Sequence, residues 1–193
     1  SKKGPQELKE GVKFTYEGKA KKVFIAGTFN NWNATQTALK EEKPNLWSVI
    51  LPLQPGRYEY KFIIDGNWIT DPINPNKVTD PQGIENSLLI VKGPAGLSAP
   101  QITKEGVKFS YYAPKAKEVY LAGDFNNWAD NQAGVVTNKE HLMEKGKDGV
   151  WTKIVKLLPG QYKYKFVVDG TWFADPFGKP ANDEYGNSII EVK

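Results

Sequence analysis

The chain has 193 residues, 39% of them hydrophobic, with a formal net charge of +4, one histidine and no cysteine. That length is enough for two small cores, while the missing cysteines exclude disulfides and thiolate metal sites. The lysines are dispersed, which argues against nucleic acid as a partner, and no apolar stretch approaches the roughly eighteen residues of a membrane span. The chain starts at Ser1 without methionine or a signal-like apolar segment, so it reads as a mature form or a fragment of a longer protein. The compartment stays open, with a secreted or cell-surface place expected ahead of a cytoplasmic one.

From the N-terminus, apolar residues alternate at Val12-Phe14-Tyr16 and Val23-Ile25, the period of half-buried strands. Lys19–Lys22 reads as a solvated edge that discourages sheet aggregation. Phe29-Asn30-Asn31-Trp32 follows; asparagine tolerates the left-handed conformation, so this is a turn that tucks Phe29 inward and leaves Trp32 outside. Trp47–Leu51 alternates again, with Trp47 in the core. Tyr58-Tyr60-Phe62-Ile64 runs into Asp65-Gly66, and Asp71-Pro72 terminates the next short strand. Leu88-Ile90 closes the first half. The segment 93–104 is small, polar and rich in Pro and Gly, so it reads as a linker between domains spanning 1–92 and 105–193.

The second half repeats the first. Ala26–Trp32 (AGTFNNW) returns as Ala122–Trp128 (AGDFNNW), and Pro55–Trp68 returns as Pro159–Trp172. Asp71-Pro72 and Asn86-Ser87 reappear as Asp175-Pro176 and Asn187-Ser188. A period of about a hundred residues is too long for a solenoid unit and fits a whole domain. With helix signals nearly missing, the expected fold class is all-β: two tandem immunoglobulin-like β-sandwich domains. Trp151 repeats Trp47 as core. The second copy has a longer loop, 129–150, without aromatics, which reads as a neutral insertion.

Asp-Gly between alternating runs signals a two-residue type I′ turn. That turn pairs Ile63 with Trp68 and Phe62 with Ile69. One face of the hairpin then carries Tyr60, Phe62, Ile64 and Ile69 and belongs to the core. The other carries Lys61, Ile63, Trp68 and Thr70. In the second copy, Lys165, Val167 and Trp172 face outward in the same way. Trp32, Trp68, Trp128 and Trp172 therefore read as exposed platforms. An indole packs on the C–H face of a pyranose, and Lys and Asn offer hydrogen bonds to its hydroxyls. Such a platform needs no cofactor and no metal.

FNNW, then YKF-x-x-DG-x-W, Asp-Pro and a late Asn resemble the glycogen- and starch-binding modules of the early-set β-sandwich type, over essentially both halves. Such modules occur in isoamylases, pullulanases, branching enzymes and the β subunit of AMP-activated protein kinase. The resemblance implies carbohydrate contacts from Trp32, Lys61, Trp68 and Asn86, and from Trp128, Lys165, Trp172 and Asn187. The kinase-subunit members add an aliphatic residue four positions before the asparagine. That position is Gln82 in one copy and Asp183 in the other, with Ile84 or Tyr185 as substitutes. The implied partner is an α-glucan polysaccharide or malto-oligosaccharide, and the implied parent a larger amylolytic or starch-binding protein.

A glycoside hydrolase needs two opposed carboxylates, whereas Asp65 and Asp169 fit turn chemistry and Asp71 and Asp175 fit strand ends before proline. The single His141 lies in the longer loop, so no Ser-His-Asp arrangement can repeat. The expectation is a non-catalytic protein with avidity from two linked sites. The competing readings are single-stranded nucleic acid stacked on the aromatics and a sandwich pair that only scaffolds an amylolytic enzyme.

Overall fold

The computed structural model of the chain describes residues 4–193, and the chain divides into two compact units between Val91 and Lys92. The first unit holds β1 (Gln6–Leu8), β2 (Gly11–Glu17), β3 (Val23–Gly27), β4 (Lys40–Lys43), β5 (Leu46–Leu51), β6 (Gly56–Ile64), β7 (Asn67–Ile69), β8 (Lys77–Thr79) and β9 (Glu85–Val91). The second holds β10 (Gln101–Thr103), β11 (Gly106–Tyr112), β12 (Val119–Gly123), β13 (Glu144–Lys145), β14 (Val150–Val155), β15 (Gly160–Val168), β16 (Thr171–Phe173), β17 (Lys179–Pro180) and β18 (Ser188–Val192).

Each unit is a sandwich of two sheets. In the first unit the orders are β1-β2-β5-β4 and β3-β6-β9-β8, with β7 added to β6. The second unit repeats this as β10-β11-β14-β13 and β12-β15-β18-β17, with β16 on β15. The pairs are antiparallel throughout, which lets each sheet keep one face for the core and one for solvent.

The core follows the alternation. Phe14 from one sheet meets Tyr60 from the other edge-on at 4.9 Å between ring centroids, and Phe109 meets Tyr164 at 5.1 Å. Phe62 and Phe166 complete the two centres. Burying each such ring contributes roughly 1.5–3 kcal/mol. Trp47 and Trp151 are core residues as the strand pattern implies, and their indole N–H groups donate to the carbonyls of Gly18 (3.3 Å) and Ala113 (2.8 Å).

The repeated Asp-Pro and Asn-Ser pairs have a buried purpose that strand termination does not capture. Tyr60 Oη donates to Asp71 Oδ2 (2.6 Å), and the Asp71 N–H donates to Ser87 Oγ (2.8 Å). Tyr164, Asp175 and Ser188 repeat both bonds at 2.7 and 2.9 Å. Burial raises both carboxylic acids, Asp175 to about 6, and pushes both phenols upward as well. The reason is that a charge taken out of water favours its neutral form.

The segment expected to be linker contributes its end to the second sandwich. Gln101–Thr103 pairs with Gly106–Lys108, and before it Ser98 exchanges hydrogen bonds with Ser110, each 3.1 Å. Composition alone hides this, because a three-residue edge strand of mixed polarity is held by backbone bonds.

Candidate functional site

The Asp65-Gly66 hairpin has the expected geometry. Both turn residues have positive φ, 47° and 87°, and Asp169-Gly170 repeats them at 46° and 87°, the signature of a type I′ turn. The aspartate also ties the hairpin to the preceding loop: Asp65 accepts from the backbone N–H groups of Lys21 and Lys22, and Asp169 from those of Lys117 and Glu118. Ile63 pairs with Trp68 and Val167 with Trp172. Lys61 lies beside Ala26, and Lys165 beside Ala122. Lys61 and Lys165 are half-buried and, among the described residues, their side chains make no hydrogen bond or ion pair.

The FNNW turns place the other two tryptophans. Asn30 Oδ1 accepts from Gly27 N–H (3.0 Å), while its amide donates to the carbonyl of Ile25 (3.0 Å). Asn126 does the same for Gly123 and Leu121. Phe29 and Phe125 turn inward, with ring centroids 6.0 and 5.6 Å from Phe14 and Phe109. The chain then takes left-handed steps at Asn31 and Trp32 (φ 52° and 57°) and at Asn127 and Trp128 (φ 51° and 52°). Tryptophan in this region costs roughly 1–2 kcal/mol, and such strain gathers at functional positions. Trp32 and Trp128 are half-buried.

The copies differ around the second tryptophan of each pair. Trp68 is 44% exposed, and its indole N–H has no protein partner among the described residues. Trp172 is less exposed and donates to the carbonyl of Gly134 at 2.9 Å. Gly134 belongs to the longer loop, whose Ala129, Val136 and Leu142 join Tyr120, Ala122 and Val167 in an apolar cluster packed against both Trp128 and Trp172. Within that loop His141 Nε2 lies 2.8 Å from Asp130, and His141 Nδ1 lies 3.4 Å from the Asn126 amide.

The late asparagines are buried. Asn86 Nδ2 donates to Glu59 Oε1 (3.1 Å), and Asn187 Nδ2 donates to Asp183 Oδ2 (2.8 Å). Neither Oδ1 accepts a bond from a described residue, and neither is sealed from solvent. Each carboxylate is paired with a cation: Glu59 with Arg57 (2.8 Å) and Asp183 with Lys163 (3.2 Å).

The spacing that equated Gln82 with Asp183 does not survive the loop geometry. Asp80 Oδ1 accepts from the N–H groups of Gln82 and Ile84, two and four residues on, and Asp183 Oδ1 accepts from Tyr185 and Asn187 at the same offsets. Gly83 and Gly186, each third after the aspartate, have φ of 84° and 66°. Asp183 therefore corresponds to Asp80, and Gln82 to Tyr185. The cause is a shorter return to the last strand in the second copy. Gln82, Ile84 and Tyr185 are exposed at these turns, Ile84 at 51% and Tyr185 at 68%. Glu59, Arg57 and Lys163 went unremarked in the sequence, although alternation with Lys61 and Lys165 places them on the outer face.

The family model described as the glycogen recognition site of AMP-activated protein kinase matches the chain twice, over residues 11–95 and 107–193. The chain belongs to this family. Its two sandwiches are glycogen- and starch-type carbohydrate-binding modules in tandem. Similar proteins include the AMP-activated protein kinase subunit beta-2 of Homo sapiens, 38% identical over 96 residues, 45% of this chain and 34% of that one. Protein PTST homolog 2, chloroplastic, of Arabidopsis thaliana is 42% identical over 72 residues, 37% of this chain and 13% of its own length. Protein FLOURY ENDOSPERM 6, chloroplastic, of Oryza sativa subsp. japonica is 38% identical over 80 residues, 42% and 15% of the two lengths. The matches thus span about a third or less of these relatives.

Among the described residues, no group of three or more His, Cys, Asp or Glu side chains is arranged to hold a metal ion. Among the same residues, no helix is long and apolar enough to cross a membrane.

Proposed function

We propose that the chain binds α-glucans such as starch, glycogen and malto-oligosaccharides without chemically changing them, at one platform per module. In this reading Trp32 and Trp68, and Trp128 and Trp172, stack on glucose rings. Lys61 and Lys165 donate to hydroxyls, and Asn86 and Asn187 accept from them. Ile84 and Tyr185 add apolar contacts at the rim, with Gln82 beside Ile84. Asp183 acts from within its turn.

The observation that carries the reading is the repetition of one unused set of groups. In both modules a lysine and an asparagine carbonyl, each without a partner among the described residues, lie on the outer face that also bears Trp68 or Trp172. Groups left unpaired twice in the same way fit a ligand rich in hydroxyls. The aspartates a hydrolase would need are engaged elsewhere: Asp65 and Asp169 in turns, Asp71 and Asp175 in the core. A single shallow platform binds weakly. Two on one chain raise the effective concentration on a polymer, with a gain of roughly 10²-fold where both engage. With the matches covering a third or less of the relatives, a larger starch-handling parent protein is part of the same proposal.

Calorimetry with maltoheptaose and soluble starch tests this. The expected result is binding at two sites, lost stepwise with Trp32→Ala/Trp68→Ala and Trp128→Ala/Trp172→Ala, and nearly insensitive to salt. Affinity for single-stranded DNA that falls steeply with salt, with no binding of glucan, overturns it in favour of a nucleic-acid platform.

A further inference from the structure

The two modules reach one arrangement of the late asparagine by different residues. In the first, the carboxylate comes from Glu59, two residues before Lys61 on β6, and Arg57 holds it. In the second, the residue at that strand position is Lys163, with the opposite charge, and the carboxylate comes from Asp183 in the turn before β18. Both carboxylate side chains are 15% exposed. The carboxylate thus comes from the strand in one module and from the turn in the other, while the bond to the asparagine amide is kept.

What the two arrangements share is the orientation of a carboxamide. A carboxylate can only accept, so it fixes which end of the asparagine is nitrogen and leaves Oδ1 as the outward group. An unpaired asparagine would populate both orientations and offer a ligand hydroxyl an acceptor only part of the time.

We infer that Glu59 and Asp183 are positioning residues for glucan binding, each holding the carbonyl of Asn86 or Asn187 toward a hydroxyl that the sugar must donate. The inference rests on the proposed function and specifies its hydrogen-bond polarity at this point of the platform. Arg57 and Lys163 act one step further back by holding the carboxylates. Asp183 Oδ1 meanwhile braces the turn through Tyr185 and Asn187, so its two oxygens serve the loop and the asparagine separately.

The test uses the full chain with the second platform silenced by Trp128→Ala/Trp172→Ala and maltoheptaose as probe. Glu59→Ala is expected to weaken binding roughly threefold to tenfold, the range of one net hydrogen bond. Added to Asn86→Ala it weakens binding no further, and Glu59→Gln, whose one remaining acceptor oxygen Arg57 also claims, weakens it by less than Glu59→Ala. The same loss with and without Asn86, or no loss, overturns the role. The mirror test guards against misfolding: with the first platform silenced, Asp183→Asn keeps Oδ1 for the turn and removes the acceptor that faces Asn187 and Lys163. It is expected to give a comparable loss and to broaden or shift the Asn187 side-chain amide signals in nuclear magnetic resonance. Unchanged binding there also counts against the role. A parent chain that binds no maltoheptaose refutes the proposed function and this inference together, whereas a chain that binds normally but ignores both substitutions refutes this inference alone.

Discussion

The indole N–H of Trp172 donates to the backbone carbonyl of Gly134, 2.9 Å away, in the part of the second module where the first has a shorter loop. Trp68, at the same hairpin position, has no such tether among the described residues. Holding a side chain in its bound orientation beforehand saves roughly 0.5–1.5 kcal/mol on association. With one platform silenced at a time, the second module is expected to bind maltoheptaose about threefold to tenfold more tightly than the first. Equal affinities by calorimetry contradict this. Shortening the loop across 132–135 is expected to bring the second site down to the level of the first.

Removing the turn asparagine is expected to disarm the neighbouring tryptophan. Asn30 bonds to Gly27, Ile25 and Thr37 and so holds the start of the turn that forces Trp32 to φ 57°. Asn30→Ala should cost about 1–3 kcal/mol of first-module stability, because buried backbone groups lose their partner. Its loss of glucan affinity should match that of Trp32→Ala. Thermal unfolding and calorimetry on the same variant check both.

Tyr164→Phe is expected to destabilise the second module by about 1–3 kcal/mol, since Asp175 stays buried without that donor. In a domain of this size that lowers the melting midpoint by roughly 4–8 °C per kcal/mol. Differential scanning calorimetry should show the shift in the second module alone, because each unit has its own core.

Two aspartates of the second module are expected to answer pH in opposite senses. Asp175 is raised by burial to about 6, against about 3.9 in an unfolded chain. The folded state therefore holds its proton more tightly. Its stabilising contribution is complete below pH ~4 and is lost as pH rises through about 6. Asp183 is lowered to about 2, first by the N–H of Asn187 and then by its amide and Lys163. Its contribution is present above pH ~4 and is lost as pH falls through about 2. Carboxyl carbon shifts should titrate with midpoints near these values, and second-site glucan binding should stay flat from pH 4 to 8 with respect to Asp183. A midpoint near 4 for both residues contradicts the burial and bonding described.

Much of the fold was legible because its signals are local. Asp65-Gly66 specifies a turn, the turn specifies register, and alternation then sends Tyr60 inward and Lys61 outward without knowledge of any distant residue. The duplication checked each step twice. What stayed hidden depends on where loops travel. Trp172 meets Gly134 across 38 residues of sequence, and Asn187 is served by Asp183 only because its turn returns early to the strand. Counting back four residues from each asparagine equated Gln82 with Asp183, since spacing carries no record of a shortened return. The buried role of Asp71 was masked by the proline after it, a sufficient local explanation for the residue.

The exchange of Glu59 for Lys163 also bears on how a duplicated chain avoids confusing its own halves. Near-identical neighbours on one polypeptide are prone to trade strands while folding. If β6 and β15 changed places, Glu59 would face Asp183 as a second carboxylate, and Lys163 would leave the Asn86 amide without an acceptor. The correct assembly has neither fault. The opposed charges therefore disfavour the exchanged pairing.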